Sequence, residues 1–362
     1  MDAVRRASIR AARPRPAALP PPRCLHTSPA RSATPLHPTT PGPPPKAPTP
    51  IATPAQDRIA RKAQQADLLR RGQAQRPQPG KPAGALQRRF WRDVSVQECD
   101  AGLQVHLDSR PVRTAAKRIL TIPPSKRQLA AAVALEWDQL ASAQQALKQH
   151  YIPLTSLVSR ALDIRDADAN GDSLVRNDAV GMMMKYFGTD TLLCWAPERG
   201  SQGSSRGDSL RQRQVQAARP ILDYLTTHVW PGADIVPALE EDNILPKPQP
   251  ERTRELVQGW LSALPAFELA GLERAVLASK SLLVAVRLLA EWSEELSRAR
   301  ATDGKAHGAR FGIEEAAEAC SVEVRWQTEL WGEVEDTHDV EKEDLRRQLG
   351  SVVLLVGGSS RA

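Results

Sequence analysis

The run Asp166-Ala167-Asp168-Ala169-Asn170-Gly171-Asp172 comes nearest, in residue type and spacing, to a metal site. Alternating carboxylates followed by glycine match the first half of a calcium loop, whose oxygens wrap a hard cation. Such a loop takes a bidentate glutamate at its twelfth position. Here that position is Asn177, and Ser173 stands where an apolar residue would anchor the loop. The run is read as a solvated acidic loop, and no metal or other cofactor is expected. Cys24, Cys99, Cys194 and Cys320 form no CxxC pair, the seven histidines form no HExxH, and no GxSxG elbow occurs. Gly200, Gly203 and Gly207 sit in a Ser-rich stretch without GxGxxG or Walker spacing, so a flexible insertion fits better than a phosphate cradle. Catalysis keeps one opening, a small-molecule matrix enzyme with an acidic cleft around Glu323, Glu329 and Glu335. No catalytic residue is named.

The elements that must position these residues begin near Arg88. Val94 and Val96, then Leu103, Val105 and Leu107, alternate with polar neighbours between the turn signals Asp100-Ala101-Gly102 and Asp108-Ser109-Arg110. With 110–114 and 118–122 as two further strands, this spacing predicts an antiparallel meander with one buried face. Pro123 and Pro124 end it. Ser125 to Gln128 has capping-box spacing, so a helix is expected from Ser125. Helical patterns follow at 155–165, 174–187, 209–229, 251–263, 266–278, 280–298 and, as one long helix, 312–345. Leu282, Leu283, Val286, Leu288 and Leu289 are apolar on more than one side and mark the central buried helix. Residues 163–178 and 196–208 read as surface insertions. The expected fold class is α+β, a small β-rich N-terminal domain (88–148) with one packed helix, followed by a larger all-α domain (149–349) and a C-terminal tail (350–362).

Residues 1–56 hold eight basic residues and one acid, of 49 and 42 in the whole chain, which leaves 41 of each in residues 57–362. The net charge of +7 therefore belongs to a leader. An Arg-rich, Ser/Thr-containing and almost acid-free start reads as a mitochondrial transit peptide (1–30), cut near Arg23 to Ser28, and the expected location is the matrix. Residues 31–87 form a Pro/Ala/Gln-rich tail that cannot bury enough surface to offset its ordering entropy. A neutral body has no excess positive charge with which to bind nucleic acid. No apolar run approaches the ~20 residues of a membrane span, so no membrane insertion is expected. Eight of the 15 aromatic residues are tryptophan, which core packing explains in most cases.

Several stretches together resemble a known family: Arg88-Arg89-Phe90-Trp91-Arg92-Asp93-Val94-Ser95-Val96; Ala134-Leu135-Glu136-Trp137-Asp138; Ile152-Pro153-Leu154-Thr155; Lys185 to Cys194 (KYFGTDTLLC); Lys280-Ser281-Leu282; and Trp331 to Asp339 (WGEVEDTHD). In this order and spacing, across 88–349, they look like the mitochondrial ATP synthase assembly factor 2 family. The resemblance implies a monomeric, non-enzymatic chaperone of the unassembled alpha subunit of the catalytic head. Such a chaperone masks the alpha subunit's beta-facing surface until assembly. It also carries over a sensitive acidic residue onto Glu323, although Val324 and Arg325 stand where family members have further acids. The partner-binding set expected from it is Glu323, Gln327, Trp331 and Glu335.

Overall fold

A computed structural model describes residues 88–197, 209–239, 245–296 and 310–358. The expected leader, the tail and almost all of the 196–208 insertion lie outside these residues. Within the compact unit beginning at Pro77, the chain opens with four short antiparallel strands. These are β1 (Val94–Cys99), β2 (Gly102–Leu107), β3 (Arg110–Pro111) and β4 (Thr121–Ile122). β2 is central, pairing with β1 from Val94↔Leu107 to Cys99↔Gly102 and also with β3 and β4. The period-two pattern holds in β2, where Leu103, Val105 and Leu107 are buried. The strand must start with glycine. Gly102 has φ +133°, and a Cβ there would lie 2.5 Å from the Ile122 carbonyl oxygen.

Helices follow: α1 (Arg127–Gln139), α2 (Pro153–Ala169), α3 (Leu174–Gly188), α4 (Leu210–His228), α5 (Glu251–Ser262), α6 (Ala266–Ser279), α7 (Leu282–Trp292), α8 (Ile313–Cys320), α9 (Val322–Trp331) and α10 (His338–Val356). The result is a small antiparallel sheet in a mostly helical molecule. Leu282 to Leu289 are buried except Arg287, so α7 is the central helix that its all-round apolarity indicated. The buried apolar residues of sheet and helices form one cluster. The regions 88–148 and 149–349 therefore share a core.

Four expectations are corrected. The helix after the sheet starts at Arg127 with no side-chain cap. Lys126 is instead buried, its Nζ donating to the carbonyl oxygens of Val356 (3.1 Å) and Gly357 (3.4 Å) at the end of α10. A full capping box does occur at Ser209 and Gln212, opening α4. The 163–178 stretch is mostly helix, because Ile164 is core and the acids of the calcium-like run already have partners. Asp166 pairs with Arg118, Asp168 with Arg176 at 2.6 Å, and the Asp172 carboxylate accepts from the Leu174 N–H at 2.9 Å. The long 312–345 helix is three helices, broken at Ser321 and at Gly332, where φ is +87°. Finally, helix replaces tail as far as Val356, since Val352, Leu355 and Val356 are buried.

α10 and α6 approach closely at Gly271, where a Cβ would meet Val356 Cγ1 at 2.9 Å and Val352 Cγ1 at 3.3 Å. Gly271→Ala gains helix propensity but overpacks this seam. Chemical denaturation is expected to show a net loss of about 1 kcal/mol.

Candidate functional site

Most of the stretches that carry the family resemblance are joints of the fold. Glu136 on α1 accepts hydrogen bonds from the backbone N–H of Leu154 (2.6 Å) and Thr155 (3.0 Å) and from the Thr155 hydroxyl (3.0 Å). It thereby caps α2, which Pro153 begins. Burial raises the Glu136 pKa, and these three hydrogen bonds oppose the rise. Trp137 Nε1 donates to Thr155 Oγ1 at 3.0 Å, and Trp91 packs edge-on against Trp137 while donating to its carbonyl oxygen. Glu136→Ala is expected to lower stability by about 2 kcal/mol, because buried donors lose their acceptor. A lower urea midpoint with unchanged slope checks this.

Asp190 does the same for the central helix. It is fully buried and accepts from the N–H of Leu192 and of Leu283, each at 3.0 Å. Ser281, also hydrogen-bonded to Asp190, caps α7 by accepting from the Val284 N–H at 3.1 Å. Burial pushes the Asp190 carboxyl up to about 6 against the hydrogen bonds from Ser281, Leu283, Leu192 and Leu282. The nearby thiols are not activated. Burial, then the Asp190 charge, pushes Cys320 up to about 12, and burial, Asp190 and Glu323 raise Cys194.

The remaining stretch, around α9, faces outward. α9 has no buried residue and rests on α4, where Arg213 bonds Glu329 at 2.6 Å and stacks 4.9 Å from the Trp326 ring centroid. Of the expected set, Glu323 and Gln327 are joined by a 3.2 Å hydrogen bond, and Trp331 sits in the last turn. Glu335 lies beyond Gly332, in the elbow before α10, and so is off α9. Of the three glutamates of the alternative reading, Glu329 is held to Arg213 on α4, Glu323 accepts from Gln327, and Glu335 lies beyond the helix. A cavity of about 600 Å³ between α4, α7, α8 and α9 is lined by Arg213, Tyr224, Arg287, Phe311, Glu318 and Arg325 among others, and by none of those three glutamates. Sequence reasoning missed the seating of α9 by Arg213 and Trp326, residues over a hundred positions apart with no shared motif. It also missed Val334 and Val340, whose exposure only the elbow reveals. Among the described residues no three His, Cys, Asp or Glu side chains are grouped to hold a metal ion, and no helix is long and apolar enough to cross a membrane.

The profile of the family described as ATP12 chaperone protein matches residues 88–226. The mitochondrial atp12 protein of Schizosaccharomyces pombe is 28% identical over 268 residues, 74% of this chain and 81% of that protein. The mitochondrial ATP12 protein of Saccharomyces cerevisiae is 29% identical over 284 residues, 74% of this chain and 82% of that one. Over these regions the chain is similar to the ATP12 family. Its fold agrees. The crystal structure of Atp12 from Paracoccus denitrificans superposes with a TM-score of 0.52 at 22% identity, covering 74% of this chain and 96% of that one. The matched family region takes in the Trp91, Glu136 and Asp190 joints and stops short of α9. Both of these fungal relatives are named as mitochondrial, which agrees with the composition of residues 1–56.

Proposed function

We propose that this protein is a non-enzymatic chaperone for assembly of the mitochondrial ATP synthase, binding the unassembled alpha subunit of the catalytic head in the matrix. On this reading it covers the alpha surface that later meets the beta subunit and is displaced at assembly. Similarity to the ATP12 chaperone family over residues 88–226 is the observation that carries the proposal. The exposed face of α9 supports it, since a ring subunit without its neighbours exposes apolar surface that aggregates unless covered. Glu323, Gln327 and Trp331 on α9, with Glu335 beyond it, form the proposed contact set. Diluting unfolded alpha subunit into buffer with the full-length chain tests the reading. A soluble complex of the two proteins, with suppressed light scattering, is expected. Equal aggregation with and without the chain would overturn it.

A further inference from the structure

The elbow between α9 and α10 carries exposed apolar residues interleaved in sequence with acids. Trp331 is 78% exposed, Leu330 48%, Val334 57% and Val340 59%, all within eleven residues. Other exposed large apolar side chains, such as Leu147, Leu174 and Leu245, are scattered along the chain, and isolated ones are ordinary. Residues 333–341 contain Glu333, Glu335, Asp336, Asp339 and Glu341 and no Lys or Arg, in a body (57–362) whose charges balance as a whole. The elbow is also held in shape. The Gly332 N–H donates to the Thr328 carbonyl at 2.9 Å, closing α9. His338 Nδ1 accepts from the Val334 N–H at 3.0 Å, while the His338 N–H donates to the Val334 carbonyl at 3.1 Å. A tryptophan on a braced turn loses little freedom when it docks.

The geometry points to a docking face for a protein surface that offers an apolar pocket to Trp331 and Lys and Arg to the acids that follow it in sequence. The charge selects this occupant. A second copy of the chain would set two acidic elbows against each other, which like-charge repulsion opposes. Anionic lipid and nucleic acid are repelled for the same reason. A small cation is a poor fit, because no three carboxylates in the described residues are grouped to hold one. Acids interleaved with exposed apolar residues suit an interface with a desolvated core and a charged rim, where Trp anchors and charge orients. This inference rests on the chaperone reading and makes it specific: the elbow beyond Glu323 supplies the anchor, and the surface it covers is basic.

The test uses the full-length chain and purified, unassembled alpha subunit. Trp331→Ala is expected to weaken the complex at least tenfold. The triple variant Glu333→Lys, Glu335→Lys, Asp339→Lys is expected to do the same. Wild-type affinity should fall as salt rises from about 50 mM to about 500 mM, which screens exposed charge. Wild-type binding with both variants unchanged overturns the docking face and leaves the chaperone reading standing. Absence of wild-type binding overturns the chaperone reading, and the docking face is then decided by a photo-crosslinking residue replacing Trp331 in mitochondria. Crosslinks to a protein segment rich in Lys and Arg around an apolar residue support it. Crosslinks to lipid, to this chain, to neutral or acidic segments, or to nothing overturn it.

Discussion

Glu323→Lys is expected to abolish formation of the complex with unassembled alpha subunit, and with it ATP synthase assembly, while the protein folds and accumulates normally. Glu323 is exposed on a helix without buried residues and accepts a 3.2 Å hydrogen bond from the Gln327 side chain. A surface change of this kind alters stability by about 0.5 kcal/mol or less. A lysine there opposes a basic partner surface, and misplaced like charge costs several kcal/mol of binding. Glu323→Gln removes attraction without adding repulsion, so its effect should be milder. Comparing assembled ATP synthase on native gels with the steady-state level of the variant separates binding from folding. Normal assembly at wild-type level would reduce Glu323 to a solvated helix position.

The largest stability loss is expected at Asp190. Asp190→Ala leaves the Leu192 and Leu283 N–H groups without their acceptor inside the core, each costing about 1–3 kcal/mol. Relief from burying a carboxylate offsets part of this, and a net loss of about 3 kcal/mol near neutral pH is expected. The residue also sets a pH dependence. Its folded pKa of about 6 lies above the ordinary 3.8, so between those values the folded state holds the proton more tightly. Its contribution to stability is therefore greatest below 3.8, falls as pH rises to about 6 and is level above, a span of about 3 kcal/mol. Asp190→Asn, which cannot ionise, should lack this slope. Glu136 and Glu268 are raised in the same direction and stay in both proteins, so the difference between wild type and Asp190→Asn isolates Asp190. Urea midpoints on either side of pH 6 report it, and a difference that does not change with pH would show that Asp190 does not titrate there.

Much of the frame was legible because local patterns and tertiary burial agree. Alternation announced β2, and the all-round apolarity of 282–289 announced α7. Where tertiary contacts decide, the sequence misled. Ser125 has the spacing of a cap, yet the helix starts later because Lys126 is drawn to the end of α10, 230 residues away. The calcium-like run reads as a loop until Arg118, ahead of β4, and Arg176, on α3, are seen to neutralise it. Glycine at 332 was visible, but that it ends α9 depends on how α8 and α10 pack on either side. Tryptophan shows the limit for the site. Trp91 and Trp230 are core and Trp331 is exposed, and no local pattern separates them.

The grip of Lys126 on α10 has a consequence for timing. α10 packs on α1, α2, α6, α7 and α8, and a side chain at the head of α1 holds its far end. A chain made or threaded through a membrane from its N-terminus delivers α10 after everything it packs on. Until then the seam along Gly271 is open and the central helices lack one wall. The elbow leading into α10 is set only when that wall closes, so the face proposed to dock a partner is completed last.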